Sequence, residues 1–384
     1  MMAITGCGSS GGNNVTPDPA LSSAKAITAF NFATPAATGI VTEATNTIAI
    51  TVPFGTVVTA LVPAITHTGA SISPDTGVAN DFSAPQTYTV TAADASTKEY
   101  VVTVTVAAGD YTSANIGTLK YVPAGSFQRD SDPLNFSTIR TAFHMSEKEI
   151  TRDQFFAVMG VDPSDTKYST GTSDPVQMVT WYDAVEFCNE LSTAEGLTPV
   201  YMITERMPDT GYPITSATVT PTWANNGYRL PTEMEWEWAA MGATCDGRVG
   251  DIVDDVNTGG YTKGYAGSTE AGGAQANLGD YAWTVENSKN KTHPVGTTGT
   301  TGHANELGLY DMSGNVWEWV WDWKAAYPDG PLDNDIFRGA DSGPGRVIRG
   351  GGWMYDASNA KVALRYQDTP NYSHYTIGFR VVRP

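Results

Sequence analysis

The sequence predicts an all-β module followed by a larger α+β domain, and three observations support this division of its 384 residues. The composition changes near residue 110, because the basic residues before Asp110 are Lys25 and Lys98, whereas all ten tryptophans lie from Trp181 onward. Short segments with alternating residue character fill the first part. Helix start signals follow in the second part.

β-Branched segments with a period of two mark the first module: Thr47–Val52, Thr87–Ala92 and Lys98–Val106. Pro, Gly, Asn and Asp separate them, a pattern typical of a β-sandwich. The opening at Ile27–Phe32 and the Lys-Glu-Tyr-Val-Val-Thr-Val ending resemble the immunoglobulin-like modules of bacterial surface lipoproteins. We therefore expect residues 24–107 to form an immunoglobulin-like sandwich that acts as a spacer.

Cys7 follows Ile-Thr-Gly and precedes a stretch rich in Gly, Ser and Asn. This pattern resembles a bacterial lipobox, although the charged segment and apolar core of a signal peptide are missing before it. Two interpretations stay open. In one, Cys7 is lipidated and residues 1–23 form a flexible tether that anchors the protein to the outer membrane at the bacterial cell surface. In the other, Cys7 has no role.

Three capping patterns predict helices in the second domain, because each places a threonine hydroxyl where it accepts from a free backbone amide. The pairs are Thr151 and Gln154, Thr180 and Asp183, and Thr232 and Glu235. Gly160 is expected to end the first helix. Cys188 lies on the apolar face of the second helix, which predicts a buried thiol. Glu233, Glu235 and Glu237 are interpreted as acids of a helical first turn and not as acid/base groups.

Tryptophans at positions 317, 319, 321 and 323 recur every second residue, so on a strand they share one face. That face must be buried, because four exposed indoles would promote aggregation. Glu318 and Asp322 point to the opposite face. The pattern predicts a small, twisted antiparallel sheet with a few helices and much irregular loop.

Six motifs occur in order from about residue 118 to the end. They are Val122–Phe127, Pro175–Ala184, Tyr228–Glu237, Asn305–Trp319, Arg346–Trp353 and Ile377–Arg380. Together they resemble the formylglycine-generating-enzyme (sulfatase-modifying-factor) family, a variant of the C-type-lectin fold. The resemblance implies a C-type-lectin, formylglycine-generating-enzyme-like domain over residues 108–384 that binds a ligand.

The resemblance also implies two cysteines after the Arg-Gly-Gly-Ser-Trp motif, which carry a copper-dependent oxidation in the enzyme. In this chain the two positions fall on Tyr355 and Ala360. The five histidines show no paired spacing that would suggest an iron site. We therefore expect a protein that is not an enzyme. The alternative is a tethered oxidase relative that is inactive or of altered chemistry.

Residues 354–375 combine tyrosines, which give rigid contact area, with small polar residues that form adaptable hydrogen bonds. The polar and aromatic members are Tyr355, Asp356, Ser358, Asn359, Tyr366, Asp368, Asn371, Tyr372, Ser373, His374 and Tyr375. The mixture resembles the variable region of proteins that diversity-generating retroelements diversify, which use the C-type-lectin fold. It implies a hypervariable binding site. An ordinary polar loop is the alternative.

The resemblance further implies a structural calcium at Asn315, Val316 and Glu318, whose oxygens suit that ion. Capping of the core without metal is the alternative, and no other cofactor is expected. The net charge of −19 argues against nucleic acid and against an anionic membrane, except through a lipid anchor. We expect a monomer that binds an extracellular protein or glycan. The calcium-sugar motifs Glu-Pro-Asn and Gln-Pro-Asp of true lectins are missing.

Overall fold

The computed structural model describes residues 20–53, 56–246, 248, 251–254, 256–269, 278–298 and 302–384. Contacts between Cα atoms divide the chain into two compact units, residues 1–108 and 109–384. Cys7 lies outside the described residues, so its lipidation stays a prediction. In the part that is described, no helix has the length and apolar character needed to cross a membrane.

The first unit is built from short strands arranged in two sheets, with orders β2-β1-β5 and β3-β4-β8-β7-β6. The strands are β1 Ile27–Ala33, β2 Ala36–Thr38, β3 Ile40–Thr42, β4 Thr47–Val52, β5 Pro63–His67, β6 Ser71–Ser73, β7 Gln86–Thr91 and β8 Thr97–Val106. Alternate residues of β4 are buried, as the period of two predicts. Both sheets contribute to one core that includes Phe30, Ile50, Tyr88 and Tyr100. The sandwich prediction is confirmed.

The second unit mixes helices with short strands. Its helices are α1 Arg152–Met159, α2 Trp181–Ala194, α3 Glu233–Ala240 and α4 Leu278–Tyr281. Its strands before α3 are β9 Tyr111–Ser113, β10 Gly117–Val122, β11 Gly125–Gln128, β12 Phe136–Ile139, β13 Phe143–Ser146, β14 Tyr201–Met207 and β15 Ser216–Pro221. Those after α3 are β16 Ile252–Val253, β17 Val256–Asn257, β18 Trp317–Trp323, β19 Leu332–Asp333, β20 Arg346–Arg349, β21 Tyr366–Asp368, β22 Ile377–Phe379 and β23 Val382–Arg383.

The sheet with order β21-β20-β18-β22 carries the candidate site. β18 runs antiparallel to β20 and parallel to β22, so that Trp319 lies opposite both Ile348 and Phe379. The expectation of an antiparallel sheet is therefore wrong here. The parallel pairing arises because the chain leaves β18, passes through β20 and β21, and re-enters at the far edge of β18 in the original direction.

The predicted capping boxes are present at the starts of α1, α2 and α3. In each box the threonine side chain accepts from the backbone amide three residues on, and that residue's side chain accepts from the threonine amide. Gly160 ends α1 in the left-handed conformation, with φ of 73°. Cys188 is fully buried on α2, as predicted.

β18 is buried on both faces. Trp317, Trp319 and Trp321 pack into one core, whereas Val320 belongs to a second core together with Trp236 of α3. Glu318 and Asp322, on the face opposite the indoles, are also fully buried. The strand therefore separates two apolar layers, and its two carboxylates need partners inside the protein.

Candidate functional site

The segment 354–375 lies between β20 and β22, and its middle part pairs with β20 as β21. Its first part forms a 3₁₀ turn at Ala357–Ala360, and Asp356 caps this turn by accepting from the Ser358 amide at 2.9 Å. Asp356 also accepts from the Asn359 side chain at 3.1 Å. The predicted residues Asp356, Ser358 and Asn359 thus form their own hydrogen-bonded turn.

Two tyrosines of the segment rest on one indole. The ring centroids of Tyr355 and Tyr366 lie 5.7 and 5.8 Å from the ring of Trp317. Trp317 itself is buried, whereas Tyr355 and Tyr366 are 37% and 58% exposed. Partial burial raises the pKa of Tyr355, so its hydroxyl stays protonated. The sheet therefore presents two supported phenol groups to solvent.

A second aromatic stack lies at the end of the segment. Tyr375 stacks on Tyr168 at 4.2 Å and lies 3.9 Å from the ring of His374. Tyr372 stacks on His374 at 5.7 Å and remains exposed. The ring nitrogen Nδ1 of His374 is 2.7 Å from the Thr376 hydroxyl, which orients the imidazole. These contacts make the outer rings less mobile, which suits recognition.

Asp368 supplies the carboxylate of this surface. Burial raises its pKa, while hydrogen bonding to the Thr369 amide and the charge of His374 oppose that rise. Burial in turn lowers the pKa of His374. We call Tyr355, Tyr366, Asp368, Tyr372, His374 and Tyr375 the recognition face. Of the other predicted residues, Asn371 is exposed and Ser373 is half-buried.

The recognition face offers stacking and hydrogen bonds but no thiol pair. At the two positions that match the enzyme's cysteines, Tyr355 is partly exposed and Ala360 is buried. Burial raises the pKa of the Cys188 thiol far above its usual range, which removes it as a nucleophile. Cys245 is exposed, in a turn well upstream of the segment.

The residues predicted to bind calcium have other partners. Asn315 accepts from the His293 amide at 3.0 Å and donates to Glu149 at 2.7 Å. The Val316 amide also donates to Glu149, at 3.1 Å. The carboxylate of Glu318 accepts from Arg380 through both of its oxygens. These oxygens do not fit a calcium site in this arrangement. The charge of Glu318 is neutralised by Arg380, and the side-chain oxygen of Asn315 accepts a hydrogen bond from a backbone amide.

The acids of α3 are buried in ion pairs, which the sequence interpretation missed. Glu235 accepts from Arg229 at 2.6 and 2.7 Å. Glu233 accepts from Arg365 at 2.5 and 2.6 Å. Glu237 lies 2.8 Å from Arg349, in the Arg-Gly-Gly-Gly-Trp motif. Arg365 belongs to the segment 354–375, so α3 holds the middle of that segment in place.

Comparison with known proteins agrees with this architecture. The family model "Sulfatase-modifying factor enzyme 1-like domain" matches residues 90–384. The model "SGBP, N-terminal" matches residues 27–104, within the sandwich. Both matches follow the order of the two folds along the chain.

The curated relatives include a chaperone and an enzyme. Chaperone protein LppX of Paenibacillus barcinonensis is 34% identical over 280 residues, which are 69% of this chain and 89% of LppX. The formylglycine-generating enzyme of Thermomonospora curvata is 34% identical over 172 residues, which are 41% of this chain. The chain spans 50% of that enzyme's length.

A solved structure with the same fold is Treponema denticola variable protein 1. It is 32% identical with a TM-score of 0.58, and the match covers 72% of this chain and 98% of the variable protein. The C-terminal unit is therefore a C-type-lectin-type domain with a smaller β-sandwich before it. With a family model that matches most of its length, this chain belongs to the sulfatase-modifying factor enzyme 1-like domain family.

Proposed function

We propose that this protein is a surface-displayed binding protein without enzymatic activity, and that residues 354–375 are a hypervariable ligand site produced by a diversity-generating retroelement. The observation that carries the proposal is the recognition face. Its outer rings are exposed, while the indoles beneath them, Trp317 and Trp353, are only 2% exposed. Such a surface tolerates replacement of its outer side chains, because the core beneath does not depend on them.

The similarity to Treponema denticola variable protein 1 supports the same function, since it covers 98% of that protein and includes this segment's domain. Tyr355 and Ala360 at the thiol positions support a binding role over oxidation. The surface location rests on the lipobox-like Cys7 and on the sandwich that would hold the domain away from a membrane.

The partner we propose is an extracellular protein or glycan, bound by a monomer. Tyrosines bury a large area and lose little rotamer entropy, while Asp368 and His374 provide a charged and a polar anchor. No cofactor is required for this mode of binding.

The gene neighbourhood and its alleles test the diversification. We expect a reverse transcriptase and an imperfect template repeat nearby, with differences at adenines that change residues such as Tyr355, Tyr366 and Tyr372. Absence of both from the complete genome would refute hypervariability.

A binding screen tests the recognition face directly. Protein and glycan arrays are probed with the wild-type chain and with a triple variant, Tyr355→Ala, Tyr366→Ala and Tyr372→Ala. The matched control is Phe156→Ala, an aromatic residue that is 56% exposed on α1. We expect the triple variant to lose a ligand that the control retains. A ligand held equally by all three proteins would show that this face is not the site.

The alternative function, a tethered oxidase of altered chemistry, is favoured by the 34% identity to formylglycine-generating enzymes. Its test is incubation of the chain with copper and a peptide that carries the sulfatase cysteine motif. We expect no formylglycine in the peptide by mass spectrometry. Catalytic turnover that is lost in Cys245→Ser would establish the oxidase instead.

A further inference from the structure

A groove lies at the other end of β18 from the recognition face. Its volume is about 320 Å³, within the range of small-ligand sites. Trp321 and Trp323 of β18 line it, together with Trp223, which follows the β14–β15 hairpin. Trp317 and Trp323 are six residues apart on the strand, which corresponds to about 20 Å. Asp368 of the recognition face pairs with Arg346 across β21 and β20, so the groove borders that face but is lined by different residues.

The floor of the groove is Arg346, a buried cation that is 7% exposed. Its guanidinium carbon lies 3.8 Å from the ring of Trp181 and 3.9 Å from the ring of Trp323. Nη1 donates to the Trp321 carbonyl at 2.5 Å. These stacking contacts orient the guanidinium and offset part of its desolvation.

Arg346 and Arg129 are the buried arginines in the described part of this domain that form no ion pair, and Arg129 instead donates to the carbonyls of Phe136, Pro328 and Gly330. Arg229, Arg349 and Arg380 each form an ion pair with a glutamate. Among the described residues, Arg346 has no carboxylate within 4.0 Å, and its Nε has no hydrogen-bond partner. Desolvation lowers its pKa to about 9, and the charge of Asp322 offsets this only in part. A buried cation of this kind lacks an anion.

Two further side chains at the groove, Arg338 and Asp341, indicate which chemical groups a ligand would carry. Arg338 also lines the groove, where its guanidinium lies 4.3 Å from the ring of Trp223 and 3.5 Å from the carboxylate of the exposed Asp335. Asp341 is exposed on the rim and can accept hydrogen bonds from hydroxyl groups. A hydroxylated acid can donate to Asp341 as well as accept from the arginines, whereas a plain aromatic acid contacts only the arginines in this way. Indole faces and edges accommodate the C–H groups of such a ring.

We propose that this groove binds an acidic sugar of the uronic-acid type, with the carboxylate at Arg346 and Arg338 and the hydroxyl groups at Asp341. The net charge of −19 disfavours long polyanions, so the ligand is a single acidic unit or the acidic end of a glycan. The lining of the groove contains no residue of the segment 354–375, so this inference does not depend on the proposed binding function of the recognition face.

The test is titration of the full chain with glucuronate, glucose and benzoate, followed by calorimetry and by ligand-observed NMR. We expect glucuronate to bind at least tenfold more tightly than glucose, which lacks the carboxylate, and than benzoate, which lacks the hydroxyl groups. Binding of benzoate equal to that of glucuronate, or no binding of glucuronate, would overturn the proposal.

Variants locate the binding in the groove. Arg346→Gln and Arg338→Gln are each expected to weaken glucuronate binding at least tenfold, and Asp341→Asn to weaken it severalfold. Arg338→Gln and Asp341→Asn test the site even if Arg346→Gln does not fold, because both side chains lie at the rim. Phe156→Ala, on α1, is expected to bind as the wild-type chain does. Unchanged affinity in Arg338→Gln and Asp341→Asn would disprove this site.

Discussion

Arg380 and Glu318 are both fully buried and are joined by two hydrogen bonds of 2.7 Å each. The same carboxylate accepts from the indole of Trp236 at 2.6 Å. Glu318 thus links β18 to α3 and to the strand end after β22. A buried pair with this geometry is costly to break, because the remaining partner keeps its charge without compensation.

Glu318→Ala is therefore expected to destabilise the domain by about 3–5 kcal/mol. Urea unfolding followed by circular dichroism measures the change. The matched control is Arg140→Ala, which removes the ion pair with Asp333 at a position whose side chain is 63% exposed. This control should change the free energy of unfolding by less than about 1 kcal/mol. Equal losses in the two variants would contradict a structural role for the buried pair.

Calcium removal is expected to leave the melting temperature unchanged. The oxygens of Glu318 bind Arg380, and Asn315 is held by His293 and Glu149. A cation at this place would have to displace those partners. Calorimetric melting with calcium and with a chelator measures the effect. A clear drop in the melting temperature with chelator would restore the calcium prediction at these residues.

Asp322 gives the domain a pH-dependent stability. Burial, together with the charge of Glu233, raises the pKa of Asp322 from 3.8 to about 7. Between these values the folded chain holds a proton that the unfolded chain releases, so the contribution of Asp322 to the free energy of unfolding falls as the pH rises. Asp322→Asn keeps an acceptor for the Glu233 amide, which lies 2.7 Å away.

We expect Asp322→Asn to be more stable than the wild-type chain at pH 8, by about 1–3 kcal/mol. The difference should disappear near pH 4, where both side chains are neutral. Urea unfolding at the two pH values measures it. A stability difference that is the same at both values would show that Asp322 titrates normally.

Saturation mutagenesis of residues 354–375 tests which of them form the exposed face and which support the core. The variants are sorted by the amount of folded protein displayed on a cell surface. Tyr372 and Asn371 are exposed, and we expect their substitutions to change stability by less than about 0.5 kcal/mol. Trp353 is 2% exposed and packs beneath Tyr375. Its replacement by alanine should lower the free energy of unfolding by about 3–5 kcal/mol. If all positions tolerated substitution equally, or all were equally sensitive, the distinction between exposed and supporting residues would be wrong.

The sequence predicted the parts that depend on local rules. A threonine followed by an acceptor three residues later is a local signal, and the starts of α1, α2 and α3 follow it. The period of two in β4 likewise predicted which residues are buried, whereas β18 is buried on both faces and the burial of Glu318 and Asp322 was not predicted. The recognition face was proposed from residue types between two framework motifs, and its role in binding stays a prediction.

The remaining features depend on partners distant in the sequence. Glu233 looked like a first-turn acid because its partner, Arg365, lies 132 residues away. The groove could not be predicted for the same reason, because Trp223, Trp321 and Arg346 come together only through the packing of the hairpin and β18.

The bond between Arg365 and Glu233 restricts how this surface can evolve. This ion pair divides the segment into two parts, before and after Arg365. The second part begins with β21, which pairs with β20. An insertion or deletion before Arg365 would move it away from Glu233, and one within β21 would misalign that strand with β20. The proposed diversification would therefore replace residues at constant length, and alignments of alleles should contain no gaps between Trp353 and Asp368.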